Sequence, residues 1–134
     1  MALSSDRNTY RRSGEKFNHP VAAGVKIYAG ALVCLNASGY AVPGSTSATL
    51  KTVGRAEERV DNSSGSNGAE YIDVETGTYL FKNDGSITRP DIKSSAYIVD
   101  DETVADNDGG GSRSLAGQIV DIDPDTNQVW VSIS

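Results

Sequence analysis

One histidine, His19, and one cysteine, Cys34, are all this chain has for imidazole or thiol chemistry. A nucleophilic triad needs a base hydrogen-bonded to its nucleophile and oriented by an acid. His19 stands beside Pro20 with no Ser, Cys or acid at a recognisable triad spacing, so a solvated loop role is expected for it. Cys34 lies in the apolar run Ala31-Leu32-Val33-Cys34-Leu35 and reads as a small buried hydrophobe. With one ligand of each kind, a zinc cluster built from His and Cys is excluded. The glycine clusters at 65–68 and 109–111 lack the lysine and the strand–loop–helix setting of a phosphate loop.

Carboxylates are more numerous. Asp121, Asp123 and Asp125 have the alternate spacing that opens a calcium loop. Thr126 then takes the place of the glycine and Ser132 that of the closing glutamate, so the match fails. Asp100, Asp101, Glu102, Asp106 and Asp108 read as a solvated acidic edge. A glycosidase-type carboxylate pair is a property of folded geometry, and no two acids stand out as one. These residues call for no metal or cofactor, and the chain is expected not to be an enzyme.

The elements that must position any site are strands. Val and Ile number twenty against six Leu and one Met, and side chains branched at Cβ favour the pleated surface of a sheet. The 134 residues suit one domain, able to bury roughly two thirds of the surface its unfolded form exposes. Only 37% of residues are hydrophobic, so the core is expected to be thin and oligomerisation to add stability. No stretch approaches the roughly 18 apolar residues of a membrane helix, and the first twenty are too polar for a signal peptide. Synthesis and use in a cytoplasm are expected.

Charge is unevenly placed. The net charge is −6, yet residues 1–20 carry +2 and the remaining 114 carry −8. An acidic body repels nucleic acid at long range. Residues 1–20 show neither a helical nor a strand period, and Pro20 closes them in extended geometry. They read as an extended arm, with residues 21–134 as a single β domain. Arg7, Tyr10, Arg11, Arg12, Lys16 and Phe17 are the arm's candidate contact residues, because arginine and aromatic side chains are enriched at interfaces.

Along the body, residues 25–42 read as two β runs around Asn36-Ala37-Ser38-Gly39, with a bend at Gly30. Residues 50–60 form a strand interrupted by Gly54. Residues 62–68 and 106–112 are flexible loops by composition. Ile72 and Val74 alternate with Tyr71 and Asp73, Gly77 bends the chain, and Asn83-Asp84-Gly85 marks a turn. Arg89-Pro90 places residues 87–93 at an edge or in a loop. A short strand at 96–99 and a hairpin across residues 124–127 complete the set, with Val129, Val131 and Ile133 sharing one face. Tyr28, Tyr40, Tyr71, Tyr79, Phe81, Tyr97 and Trp130 fall on strands, where core and cross-strand packing is the expected use. Short strands broken by turns at this spacing predict an all-β fold, a small β-barrel or β-sandwich of short antiparallel strands.

Five segments carry a family likeness. They are Ala29-Gly30-Ala31-Leu32-Val33, Gly39-Tyr40-Ala41-Val42, Thr52-Val53-Gly54-Arg55-Ala56, the run from Ile72 to Phe81, and Ala116-Gly117-Gln118-Ile119-Val120. Together they span about residues 22–133 and resemble the small capsid decoration (cement) proteins of tailed bacteriophages encoded beside the major head protein. The resemblance implies a β-barrel-like body, often a homotrimer, seated on the outer face of an icosahedral head. It implies a virion location, the major capsid protein as partner, an N-terminal segment that reaches onto that partner, and no catalytic residue. The alternative is a carbohydrate- or receptor-binding β module of a phage particle, suggested by the tyrosines and by Trp130.

Overall fold

The computed structural model describes residues 4–7 and 15–134. From residue 16 the chain is laid out in short strands: β1 (Lys16–Pro20), β2 (Val25–Ile27), β3 (Leu32–Leu35), β4 (Ala41–Pro43), β5 (Lys51–Ala56) and β6 (Val60–Asn62). They continue as β7 (Tyr71–Glu75), β8 (Gly77–Asn83), β9 (Ser95–Ile98), β10 (Thr103–Ala105), β11 (Leu115–Ile122) and β12 (Val129–Ile133). One 3-10 turn, Arg89–Asp91, interrupts them at the Arg-Pro step. The all-β expectation holds.

Barrel and sheet are both present. Strands β10-β8-β12-β11-β9 close into a barrel, and β1-β7-β5-β3-β4 form a five-stranded sheet. A two-stranded ribbon, β2–β6, accompanies the sheet. Pairing is antiparallel throughout except between β8 and β10. Beyond β1 the chain makes a parallel bridge from Val21 to Ala41, so the outer strands of the sheet meet at one end and the sheet curls. Each half encloses its own core. Phe81, Ile87, Ile98, Val104, Ile119, Val129 and Val131 fill the barrel. Val21, Ile27, Val33, Ile72 and Val74 fill the space under the sheet.

Strand β3 is the wall between them. Leu32 and Cys34 belong to the barrel core and Val33 to the other, and all three are buried. That explains its unbroken apolar spelling, since a strand covered on both faces has no solvent side to alternate with. The β3–β4 turn is held as its residues dictate: Asn36 Oδ1 accepts from the Ser38 and Tyr40 amides, both at 3.0 Å, and Gly39 takes φ +86°. Gly77, at φ +151°, marks the corner where the chain passes from β7 in the sheet to β8 in the barrel.

Four expectations are corrected. Lys16–Pro20, assigned to the arm, form the first strand of the sheet, paired with Tyr71–Glu75, so the body begins four residues before position 20. His19, expected in a solvated loop, stands half-buried in that strand opposite Ile72 and stacks on Phe17 at 6.4 Å. Residues 62–68 are pinned, not loose. Asn62 is buried and its amide donates to the carbonyls of Val21, Ala22 and Ser66, while Asn67 Oδ1 accepts from the Ala23 amide at 2.8 Å. Thr103–Ala105, which the sequence left inside an acidic edge, is a strand with Val104 and Ala105 buried.

Candidate functional site

Of the expected contact residues, Lys16 and Phe17 lie in β1, at the root of the N-terminal segment. Hydrogen bonds from the Thr76 amide to the Glu15 carbonyl (2.7 Å) and from the Val21 amide to the Glu70 carbonyl (2.8 Å) bracket the β1–β7 ladder. Antiparallel alternation then turns the backbone of Phe17 and His19 toward β7, and that of Lys16 and Asn18 away from it. Among the described residues no strand pairs with that outer side at Lys16 and Asn18, so β1 is an open sheet edge there, up to the end where Val21 bridges Ala41 of β4.

The two faces of β1 differ. Phe17 lies opposite Val74 and packs, half-buried, on the core beneath the sheet. Lys16 lies opposite Glu75, which in turn lies opposite Arg55, so cation, anion and cation stand in a row across three strands on the outer face. Glu57 completes the group, 3.8 Å from Lys16 and 3.7 Å from Arg55, while Arg55 is 3.9 Å from Glu75. The Arg55 guanidinium also sits 4.6 Å over the Tyr79 ring. A hydrogen bond to Glu75, then burial, lifts the Glu57 carboxyl above its ordinary value, against the pull of Lys16 and Arg55. Beside the row, the Asn18 amide donates to Asp73 Oδ1 at 2.8 Å.

The expected contact residues therefore divide. Lys16 and Phe17 belong to the body, the first tied to Glu57 and the second turned inward. Arg7 is exposed. Tyr10, Arg11 and Arg12 lie outside the described residues. Sequence reasoning missed Arg55, Glu57 and Glu75 as a unit. The i, i+2 spacing of Arg55 and Glu57 was the available signal for a shared strand face.

Nothing in this group resembles a catalytic cleft. Glu57 and Glu75 meet on an outer sheet face, and among the described residues no cluster of three His, Cys, Asp or Glu side chains is placed to hold a metal ion. Asp121 pairs with Arg89 at 3.6 Å on the barrel exterior, next to Trp130 in the β11–β12 register. Trp130, 38% exposed, also neighbours Leu80 of β8 across the other side. Of the aromatics expected to pack, Phe81 is buried and Tyr79 packs on the barrel core, but Tyr28 and Tyr71 are exposed, with Lys26 Nζ 5.1 Å from the Tyr28 ring centre. Comparison with known protein families, with curated proteins and with solved structures finds no match to this chain.

Proposed function

We propose that the protein is a capsid decoration protein, a structural part that binds the outer surface of an icosahedral phage head and clamps neighbouring major capsid subunits. The observation carrying this reading is the position of β1. The basic N-terminal segment runs directly into the outermost strand of the sheet, whose outer backbone groups at Lys16 and Asn18 meet no other strand among the described residues. A segment emerging at an open edge can extend a partner's sheet or be extended by it. Arg7, Tyr10, Arg11 and Arg12 supply the contacts in this reading, while Lys16 and Phe17 fix the root. Each such contact is weak alone, because holding a side chain on the partner costs entropy. A homotrimer supplies three segments, and multivalency makes attachment firm.

The test is co-sedimentation with expanded empty heads. The full chain is expected to pellet with the heads, and a chain lacking residues 2–14, cut short of β1, to fold and stay in solution. Full occupancy by that truncated chain overturns the proposal. Sedimentation equilibrium checks the trimer.

Trp130 favours a second reading. An exposed indole beside the Asp121–Arg89 pair combines a stacking platform with hydrogen-bonding groups, as sugar recognition requires. Binding of the isolated protein on a glycan array, lost in Trp130→Ala, would establish that reading, and a blank array would remove it.

A further inference from the structure

Two cations without acidic partners share one open cleft. The cleft has a volume of about 610 Å³ and lies between β5, β9 and the ends of β11 and β12. Lys51 and Lys93 line it together with Thr52, Ser95, Ser132, Leu115 and the terminal Ser134. No Asp or Glu side chain lines it, although the chain carries eighteen, and the carboxylate of the terminal Ser134 is the one anionic group among its lining residues. Lys16, Arg55, Lys82 and Arg89 each have a carboxylate partner, whereas neither Lys51 nor Lys93 has one within 4.0 Å among the described residues. Residues 21–134 carry a net charge of −8, so two lysines against one terminal carboxylate leave a local excess of positive charge where the surroundings are negative.

Lys93 is also held in an uncommon backbone state. Its φ is +79°, a region that favours Gly or Asn. Its amide donates to the Ile119 carbonyl at 2.8 Å and its carbonyl accepts from Gln118 Nε2 at 3.2 Å, so the strained residue is fixed from both sides. Strain retained by surrounding structure marks sites where a side chain must be aimed. Leu115, 53% exposed, adds an apolar surface to the same cleft.

We infer that this cleft binds an extended acidic peptide segment of a partner protein, its carboxylates facing Lys51 and Lys93 and an apolar side chain resting on Leu115. A small molecule is usually enclosed over most of its surface. This cleft is open to solvent, which suits a chain lying across it. Lysine, a mobile point charge, accepts carboxylates without demanding one orientation. The inference is independent of the capsid reading, since the cleft shares no residue with β1 or its charge row.

Fluorescence anisotropy of the full chain with a labelled octapeptide alternating glutamate and leucine tests it. Saturable binding is expected, weakened about three- to fivefold by Lys51→Gln or Lys93→Gln and roughly tenfold or more by both together. Lys26→Gln, outside the cleft, leaves binding unchanged. Both lysines are exposed, so circular dichroism of the double variant should match that of the parent. Absence of saturable binding, equal affinity for the glutamine counterpart, or an unaffected double variant overturns the inference. Complete displacement by millimolar inorganic phosphate also overturns it, because the cleft would then be a general anion site.

Discussion

Glu57 and Glu75 carry like charges and yet meet, with Arg55 standing 3.7 Å from the first and 3.9 Å from the second. Lys16 touches Glu57 from the other side at 3.8 Å, so the start of β1 is fastened to β5 through this group. Two carboxylates sharing a hydrogen bond need a proton between them, which is why the Glu57 carboxyl titrates above its ordinary value.

A raised carboxyl pKa means that the folded state holds the proton more tightly than the unfolded chain. Stability from this contact is fully present below the ordinary carboxylate pKa and falls as pH rises through the raised value. Glu57→Gln imitates the protonated form at every pH. Urea denaturation of both proteins should show parent and variant converging at acidic pH and the variant gaining relative stability toward neutrality. A variant that instead loses relative stability toward neutrality would show that the two loose cation contacts dominate.

Because β3 separates two cores, its neighbouring residues should both be costly to truncate. Leu32→Ala should lose about 2–5 kcal/mol from the barrel side. Val33→Ala, on the opposite face, should lose about 1.5 kcal/mol by transfer alone and more if a cavity remains. A half-exposed strand would show one large and one negligible effect. Equilibrium urea titration of the two variants distinguishes these patterns.

What could be read in advance follows the range of the interactions. The turn at residues 36–39 was legible because Asn36 and Gly39 make it locally, and the β11–β12 hairpin because Val129, Val131 and Ile133 alternate. Strand β1 was not, since Phe17, Asn18, His19 and Pro20 have little shared strand preference and acquire it from Tyr71–Glu75, more than fifty positions away. The charge row was hidden for the same reason: Lys16, Arg55 and Glu75 come from three strands joined only by register. The loop at 62–68 was legible as a loop, while its rigidity depends on where the Asn62 amide points.

Asn62 is the natural test of that rigidity. Its buried amide reaches Val21 at 3.2 Å and Ala22 and Ser66 at 2.9 Å, joining the β1–β2 link to the loop after β6. Asn62→Leu keeps the volume and removes that donor; the Val21 and Ser66 carbonyls keep bonds from the Gly68 and Ala69 amides, whereas Ala22 keeps none among the described residues. A loss of about 1–3 kcal/mol is expected, the cost of leaving one buried polar group unpaired. Asn67→Ala removes one exposed bond to the Ala23 amide and should cost about 0.5–1.5 kcal/mol. Equal losses would mean that burial of the Asn62 amide has no special weight.

Cys34 reports on opening of the wall between the cores. Burial pushes its thiol up to about 11, with the nearby Thr52 hydroxyl, at 3.7 Å, pulling only weakly the other way. The thiolate is the reactive form, so the native protein at pH 8 should label very slowly with a disulfide reagent and completely once unfolded in urea. The sign is that of a raised group: its stability contribution persists through neutral pH and is lost only as pH climbs through about 11. Thr52 also donates to the Leu115 carbonyl at 2.8 Å, joining β5 to β11. Thr52→Val breaks that joint, which should cost about 0.5–1.5 kcal/mol and speed labelling roughly two- to tenfold if reaction requires opening. Direct attack through the closed structure predicts the reverse, because the same substitution removes the hydrogen bond that favours the thiolate. The direction of the rate change therefore decides between opening and direct access.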